Sequence, residues 1–324
     1  MKTYFSIFIF LVCHHFAVAQ NYAHVDSVVA TYPASFQSIE AFAERIDKDF
    51  TKDADKVRAA FYWLAHHIQY NYKILGTSRT GYPKITIRNY TDEADFHYQY
   101  KKAYAAYALK YKVAVCEGYS QLLFYVCEHL GIPSKVIQGN ALKSNHQYGV
   151  IPNNTNHKWN AVFFNDKWNL IDITWSTGNR PDKRKHVEFH NTYFCISPEK
   201  MILNHLPKDS KWQLLETPMQ KTEFYTQPVV YAPYLALDNV LDTKIRRRIK
   251  AKNNAFVTLR FTQLDTTQNY YYAYSKEPRS TKLAITKVGN EYIAKVPFSN
   301  TTMDELIIYV GKMGMLNFQI VPAR

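Results

Sequence analysis

Two short runs of aromatic and β-branched residues, Lys158 to Phe164 and Trp168 to Thr174, face each other across Asn165, Asp166 and Lys167 and read as a β-hairpin. Its turn constrains the fold strongly, because side chains alternate faces along a strand and a one-residue slip moves each of them to the other side. If the turn centres on Asn165 and Asp166, Phe164 pairs with Lys167 and Asp172 falls opposite Trp159. His157 then shares a face with Trp159 and becomes a diagonal neighbour of Asp172, within side-chain reach. A three-residue loop would put His157 and Asp172 on opposite faces, so the juxtaposition needs an even-membered turn.

A thiol stands upstream in a place that suits chemistry. After Tyr119 the apolar residues Leu122, Leu123, Val126 and Leu130 recur at helical spacing, Glu117 suits the first turn, and Gly131 with Pro133 forms the stop. One amphipathic helix is expected from about Glu117 to Leu130, with Cys116 at its head. The unpaired amides and dipole of a helix start favour negative charge and lower a thiol's pKa. Gly118 costs helix propensity, which implies that something approaches the backbone closely there. In chain order, Cys116, His157 and Asp172 supply a nucleophile, a base and a carboxylate to orient that base.

These segments resemble the transglutaminase-like superfamily, the papain-fold group that includes bacterial and kyphoscoliosis-type cysteine peptidases. The resemblance is carried by Cys116-Glu117-Gly118-Tyr119, by His157 followed by Trp159-Asn160 and a strand, and by Asp172-Ile173-Thr174-Trp175. Val57-Arg58-Ala59 through Tyr62-Trp63 to Ile68-Gln69-Tyr70 agrees with it, as does His205-Leu206-Pro207 through Trp212. Together these stretches run from Ala54 to Leu215. The resemblance implies an α+β fold with a papain-like core of helices packed on an antiparallel sheet. It also implies Cys116 as nucleophile, His157 as its base, Asp172 as the group that fixes the imidazole tautomer, and an acyl-enzyme on Cys116. Water would resolve that intermediate in a peptidase or amidase, and an amine would resolve it in a transferase. The Cys116 amide is one candidate oxyanion donor, while the family's upstream donor has no unambiguous match. The alternative is a non-catalytic binding or scaffold module of the cell envelope.

Other candidate chemistry is weaker. Cys127 lies three helical turns beyond Cys116, about 16 Å by helical rise, and reads as core unless it pairs with Cys195. His66 and His67 are adjacent on a helix, cannot share one face, and read as structural or surface residues. His186, His190, Cys195 and His205 invite a zinc reading, but their spacing fits no compact finger and no metal is expected. No calcium loop is recognisable either, so no cofactor is expected. The tyrosines from Tyr270 to Tyr274 read as strand filling rather than as a stacking platform.

Met1 to Ala19 has a positive Lys2, an apolar Tyr4 to Val12 and a small-residue Ala17-Val18-Ala19, which reads as a secretory signal. An exported protein is expected, periplasmic, cell-surface or secreted; lipidation at Cys13 would lack the usual small residues before it. No later stretch is apolar for the roughly 18 residues that a spanning helix needs. Without Cys13 three cysteines remain, an odd number that argues against a disulfide framework. Formal net charge is +13, or +12 without Lys2, which suits polyanionic surroundings such as an acidic envelope polymer. The basic runs Lys183-Arg184-Lys185 and Ile245 to Lys250 belong to no nucleic-acid module and read as solvated turns or strand edges.

A chain of 324 residues favours two domains behind the signal. Residues 20–216 make the core, with an amphipathic lead-in to about Asp53 and a surface excursion from Gly76 to Lys101. Residues 217–324 hold short strand runs: Phe224 to Tyr231, Ala255 to Phe261, Asn269 to Tyr274, Lys282 to Lys287, Glu291 to Val296, Leu306 to Val310 and Leu316 to Val321. A β-sandwich is expected there, with an immunoglobulin-like arrangement as one option. The expected partner is a peptide or protein substrate; oligomeric state is not legible.

Overall fold

The computed structural model describes residues 22–71, 84–144, 148–177, 188–299 and 304–323. The expected signal, Cys13, the Lys183 to Lys185 run and His186 lie outside these residues.

The lead-in and the residues after it form α1 (Ala23–Val29), α2 (Ile39–Asp49) and α3 (Asp53–His67). Ser38 caps α2 by accepting a hydrogen bond from the Ala41 amide at 3.1 Å, and Ile39, Phe42, Ala43 and Ile46 bury one face at helical spacing. Within α3, Arg58 is buried, and its guanidinium donates two bonds to the Asp26 carboxylate at 2.7 and 2.6 Å, tying α1 to α3. Rings of Tyr22, Phe61 and Phe194 surround that cation. His66 and His67 each bond the carbonyl four residues earlier through Nδ1, which fits their structural reading.

Two-residue strands β1 (Gln69–Tyr70) and β2 (Val113–Ala114) pair in parallel on either side of α4 (Glu93–Tyr111). This helix replaces the end of the surface excursion expected up to Lys101. The Asp92 carboxylate caps it through the Asp95 amide at 2.8 Å, and Tyr104, Ala105, Ala108 and Leu109 are its buried residues. Next comes α5 (Cys116–His129), beginning one residue earlier than expected.

The core sheet comprises β3 (Ser134–Ala141), β4 (His157–Phe164), β5 (Lys167–Ile171), β6 (Phe194–Ile196) and β7 (His205–Pro207), in the antiparallel order β6-β5-β4-β3-β7. Two single-turn helices interrupt it, α6 (Ile173–Ser176) and α7 (Pro198–Met201). The hairpin register is the expected one, with Phe164 opposite Lys167 and Asn160 opposite Ile171. Asn165 and Asp166 both have positive φ, 53° and 59°, the left-handed pair that a tight two-residue turn requires. Strand β5 is shorter than expected. It ends at Ile171, and Asp172 turns the chain into α6 as its N-cap.

The sheet buries both faces. Val162, Phe164 and Ile171 pack with Leu122, Leu123 and Val126 of α5, while Ile137, Trp159, Ala161 and Leu170 pack with the C-terminal strands. Those elements are α8 (Lys221–Phe224), β8 (Val229–Val230), α9 (Ala232–Ala236), β9 (Val240–Leu241), β10 (Arg248–Ala251), β11 (Ala255–Gln263), β12 (Tyr270–Tyr274), β13 (Thr281–Lys282), β14 (Ile285–Val288), β15 (Glu291–Phe298), β16 (Asp304–Val310) and β17 (Met313–Pro322). One sheet runs β10-β17-β16-β12-β13 with β8 on β17, and a second runs β14-β15-β11-β9. Their inward residues, Val257, Leu259 and Phe261 on one and Leu306, Ile308 and Val310 on the other, join a single core.

Three sequence expectations change here. The run from Phe224 to Tyr231 is mostly not strand, since Phe224 closes α8 and only Val229 and Val230 pair. Lys282 to Lys287 is divided between the two sheets, β13 in one and β14 in the other. The Ile245 to Lys250 run is not simply solvated either: Arg247 is buried and donates to the carbonyls of Gln227 at 2.9 Å and Tyr225 at 3.1 Å. Among the tyrosines, Tyr270 and Tyr274 are buried as strand filling, and the Tyr274 hydroxyl reaches across to the Pro297 carbonyl at 3.0 Å.

Candidate active site

Cys116 is the first residue of α5, and the preceding Val115 offers no side-chain cap to the amides that begin the helix beside the thiol. Several contacts fix this helix end. The Tyr119 hydroxyl donates to the Ile68 carbonyl at 2.6 Å, and Asn160 of β4 donates to the Ser120 carbonyl at 3.0 Å. Gly118 is needed for the fit, because a Cβ there would stand 2.7 Å from the Ala114 Cβ. Glu117 is buried, accepts from Gln121 at 2.7 Å and pairs with Lys158 of the neighbouring strand.

His157 opens β4 and is 3% exposed. Its Nε2 lies 2.6 Å from Asp172 Oδ2. Asp172 is 1% exposed, and its other oxygen accepts the Trp175 amide at 3.1 Å as the cap of α6. The even-membered turn thus brings ring and carboxylate together as the register arithmetic requires. Rings of Trp159 and Trp175 flank the imidazole with centroids at 6.0 and 5.7 Å.

The electrostatics distinguish one thiol from the others. Burial pushes Cys127 and Cys195 each up to about 12. Burial opposes ionisation of Cys116 as well, but the His157 ring, the Lys158 amide and the charge of Lys143 outweigh it and bring this thiol below its ordinary value. His157 responds in the opposite sense: burial disfavours its cation, yet Asp172 and the thiol raise it to about 9. Burial would also raise Asp172, but the two imidazoles beside it hold the carboxyl well below the usual carboxylate range. The second ring nitrogen of His157, Nδ1, has no hydrogen-bond partner among the described residues. All three described cysteines are free, so Cys127 and Cys195 are not paired.

Sequence reasoning missed one member of this cluster. His205 of β7 is fully buried, and its Nε2 lies 3.0 Å from the same Asp172 Oδ2. The sequence offered it in a scattered zinc set and in the His205-Leu206-Pro207 stretch, never as a site residue, and no local pattern links it to Asp172 across 33 residues. Ligand atoms of His157, Asp172 and His205 fall within 4.8 Å of one another, a spacing that one metal ion could bridge. Both Nε2 atoms instead lie at hydrogen-bond distance from one carboxylate oxygen. Gly139 admits β7 to this place, since a Cβ there would lie 2.3 Å from the Leu206 carbonyl oxygen and 2.4 Å from the Trp159 ring.

Residues 40–173 match the family model of the transglutaminase-like superfamily. The chain carries a transglutaminase-like domain. It is 25% identical over 193 residues to human kyphoscoliosis peptidase, covering 56% of this chain and 26% of the relative. Against Hillarin of Drosophila melanogaster it is 26% identical over 128 residues, covering 35% of this chain and 16% of that protein. A crystal structure of a TGase aligns with 56% of this chain and 40% of its own, at 19% identity and a TM-score of 0.29. The aligned part thus spans about a quarter of the length of the human relative. Within the transglutaminase-like domain, Cys116 and His157 lie inside the matched region, and Asp172 falls at its end.

Proposed function

We propose that this protein is an exported cysteine-dependent acyl-transfer enzyme acting on amides, most simply a peptidase or amidase. The observation that carries the reading is geometric, a buried His157–Asp172 pair at 2.6 Å and a cysteine at the head of α5, and the contrast among thiols agrees with it. Of the three, Cys116 alone is lowered rather than raised, and the group chiefly responsible is an imidazole oriented by a buried carboxylate. In this reading the Cys116 thiolate attacks the scissile carbonyl carbon, and the oxyanion forms near the first amides of α5. The proton that His157 holds passes to the leaving amine, which departs and leaves a thioester on Cys116. His157 then deprotonates water or an incoming amine, which attacks the thioester and releases an acid or a new amide. Asp172 stays ionised throughout and keeps the imidazole in one tautomer. The name kyphoscoliosis peptidase borne by a relative favours hydrolysis as the outcome.

The test is intact-mass trapping. The full chain, exposed to envelope peptides and to a thiol-directed electrophile at neutral pH, should gain a covalent adduct on Cys116 and none in Cys116→Ala. A Cys116 that alkylates no faster than a free thiol, with a rate unaltered by His157→Ala, would instead favour a scaffold role.

A further inference from the structure

His205 has no part in the scheme above, yet it is fully buried on the carboxylate that the scheme depends on. Its surroundings dictate where its protons lie. Nδ1 stands 2.5 Å from Asn204 Oδ1, and Nε2 stands 3.0 Å from Asp172 Oδ2. An amide oxygen and an ionised carboxylate can only accept, so each contact calls for a proton on the ring. Turning the Asn204 amide over would relieve the first demand but creates a worse contact. Asn204 Nδ2 lies 3.2 Å from the Val230 carbonyl oxygen, so the turned amide would set two carbonyl oxygens against each other. The Tyr193 hydroxyl, 2.9 Å from Asn204 Nδ2, accepts from the amide as placed.

We propose that His205 is a positioning residue of this site, doubly protonated and sharing the Asp172 carboxylate with His157. The proposal deepens the cysteine-enzyme reading and rests on it for its catalytic consequence. The groups facing the ring are Asp172, Asn204, His157 and Tyr193, with the rings of Trp159 and Trp175 packed at steep angles to it and Lys143 acting at longer range. Burial and the charge of His157 pull His205 down to about 4, which opposes a second proton. Against that stand two acceptors at 2.5 and 3.0 Å that offer no donor of their own, and leaving such a pair unsatisfied beside a fully buried ring is the costlier arrangement. With Cys116 as thiolate and Asp172 as carboxylate, cationic His157 and His205 bring the sum of the four charges to zero.

The consequence concerns proton release. A carboxylate that serves two imidazolium donors holds each less tightly than one serving a single donor, so His205 makes His157 a readier acid toward the leaving amine. The arrangement also reaches beyond the core sheet. Val230 lies in β8, which pairs with β17 of the C-terminal sheet, so that sheet sets the orientation of Asn204, and Asn204 sets the ring.

Two measurements test this on the full chain. In a histidine-15N-labelled sample, His205, assigned through its contact with the Trp175 ring at 4.5 Å, should show protons on both ring nitrogens from about pH 5 to 8. An unprotonated ring nitrogen on His205 in that range overturns the proposal without any variant having to fold. The rate of Cys116 alkylation against pH is the second readout. His205→Phe keeps a ring but no donor, and its alkaline limb should move up by about one pH unit, with His205→Gln, which keeps one donor, moving part of the way back. A wild-type profile in a folded His205→Phe, as judged by thermal unfolding, overturns the positioning role. His157→Ala separates the two readings: if it leaves alkylation unchanged the cysteine enzyme fails, whereas the nitrogen spectrum of His205 judges the proton assignment by itself.

Discussion

Replacing Asp172 by alanine removes the acceptor of three donors at once, the Nε2 groups of His157 and His205 and the Trp175 amide. The size of the effect follows from His157. The rise of that ring from 6.5 to about 9 corresponds, at about 1.4 kcal/mol per pH unit, to about 3 kcal/mol favouring the imidazolium. Burial pulls the other way, so without the carboxylate only the thiol still favours the imidazolium, and the thiolate's partner weakens near neutral pH. The sign fixes the pH window. His157 is raised on folding, so its contribution is complete below 6.5 and is lost as pH climbs through about 9. Asp172 is lowered on folding, so its contribution is present above the ordinary carboxylate value and is lost as pH falls through its depressed one. Near neutral pH the unfolding midpoint of Asp172→Ala should therefore drop by roughly 6–12 °C, and the gap should narrow as pH passes about 9, leaving the part that the Trp175 amide and His205 contribute. Alkylation of Cys116 at pH 6 should slow by at least about tenfold, and its profile should become that of a lone thiol. Asp172→Asn, which keeps one acceptor oxygen, should lie between. An Asp172→Ala protein that is folded and alkylates at pH 6 as the parent does would refute the reasoning.

Gly139→Ala should destabilise by about 1–3 kcal/mol or more, because its Cβ meets the Leu206 backbone, which cannot swing aside; denaturant titration gives the value. Arg58→Ala should cost about 3–5 kcal/mol by stranding the Asp26 carboxylate, and a Asp26→Ala/Arg58→Ala double mutant should recover part of that loss in the same assay. Asp166→Gly should raise the thermal midpoint slightly, since the position already has φ of 59° and glycine adopts it without strain; a fall would mean that the aspartate makes a compensating contact. Tyr119→Phe should lose about 1 kcal/mol with the hydroxyl bond to Ile68, and Cys116 alkylation should slow only if the helix start shifts.

Much of the site was legible because its parts are local. The turn residues Asn165 and Asp166 decide the register, the register decides the face of His157, and a helix start beside Cys116 follows from apolar spacing alone. Gly118 also spoke through sequence, since a glycine in a first turn needs a reason and Ala114 supplies one. What could not be read depends on long-range packing. His205 meets Asp172 only because Gly139 lets β7 lie against β3, and nothing near His205 in the chain encodes that approach. Arg247 looked like part of a solvated basic run, and only the convergence of the Tyr225 and Gln227 carbonyls shows why it is buried. The helix from Glu93 was obscured by its tyrosines, poor helix formers whose polar edges blur the amphipathic pattern, although the Asp92 cap was there to be noticed.

One side of the hairpin that carries His157 faces neither water nor α5: Trp159, Ala161 and Leu170 lie in the same apolar mass as Leu259 and Phe318. Cutting the chain near Glu216 would strip that covering and leave a broad oily surface under His157 and Asp172. The two halves should accordingly melt in one transition, and a lesion deep in the C-terminal strands can silence the thiol without touching it.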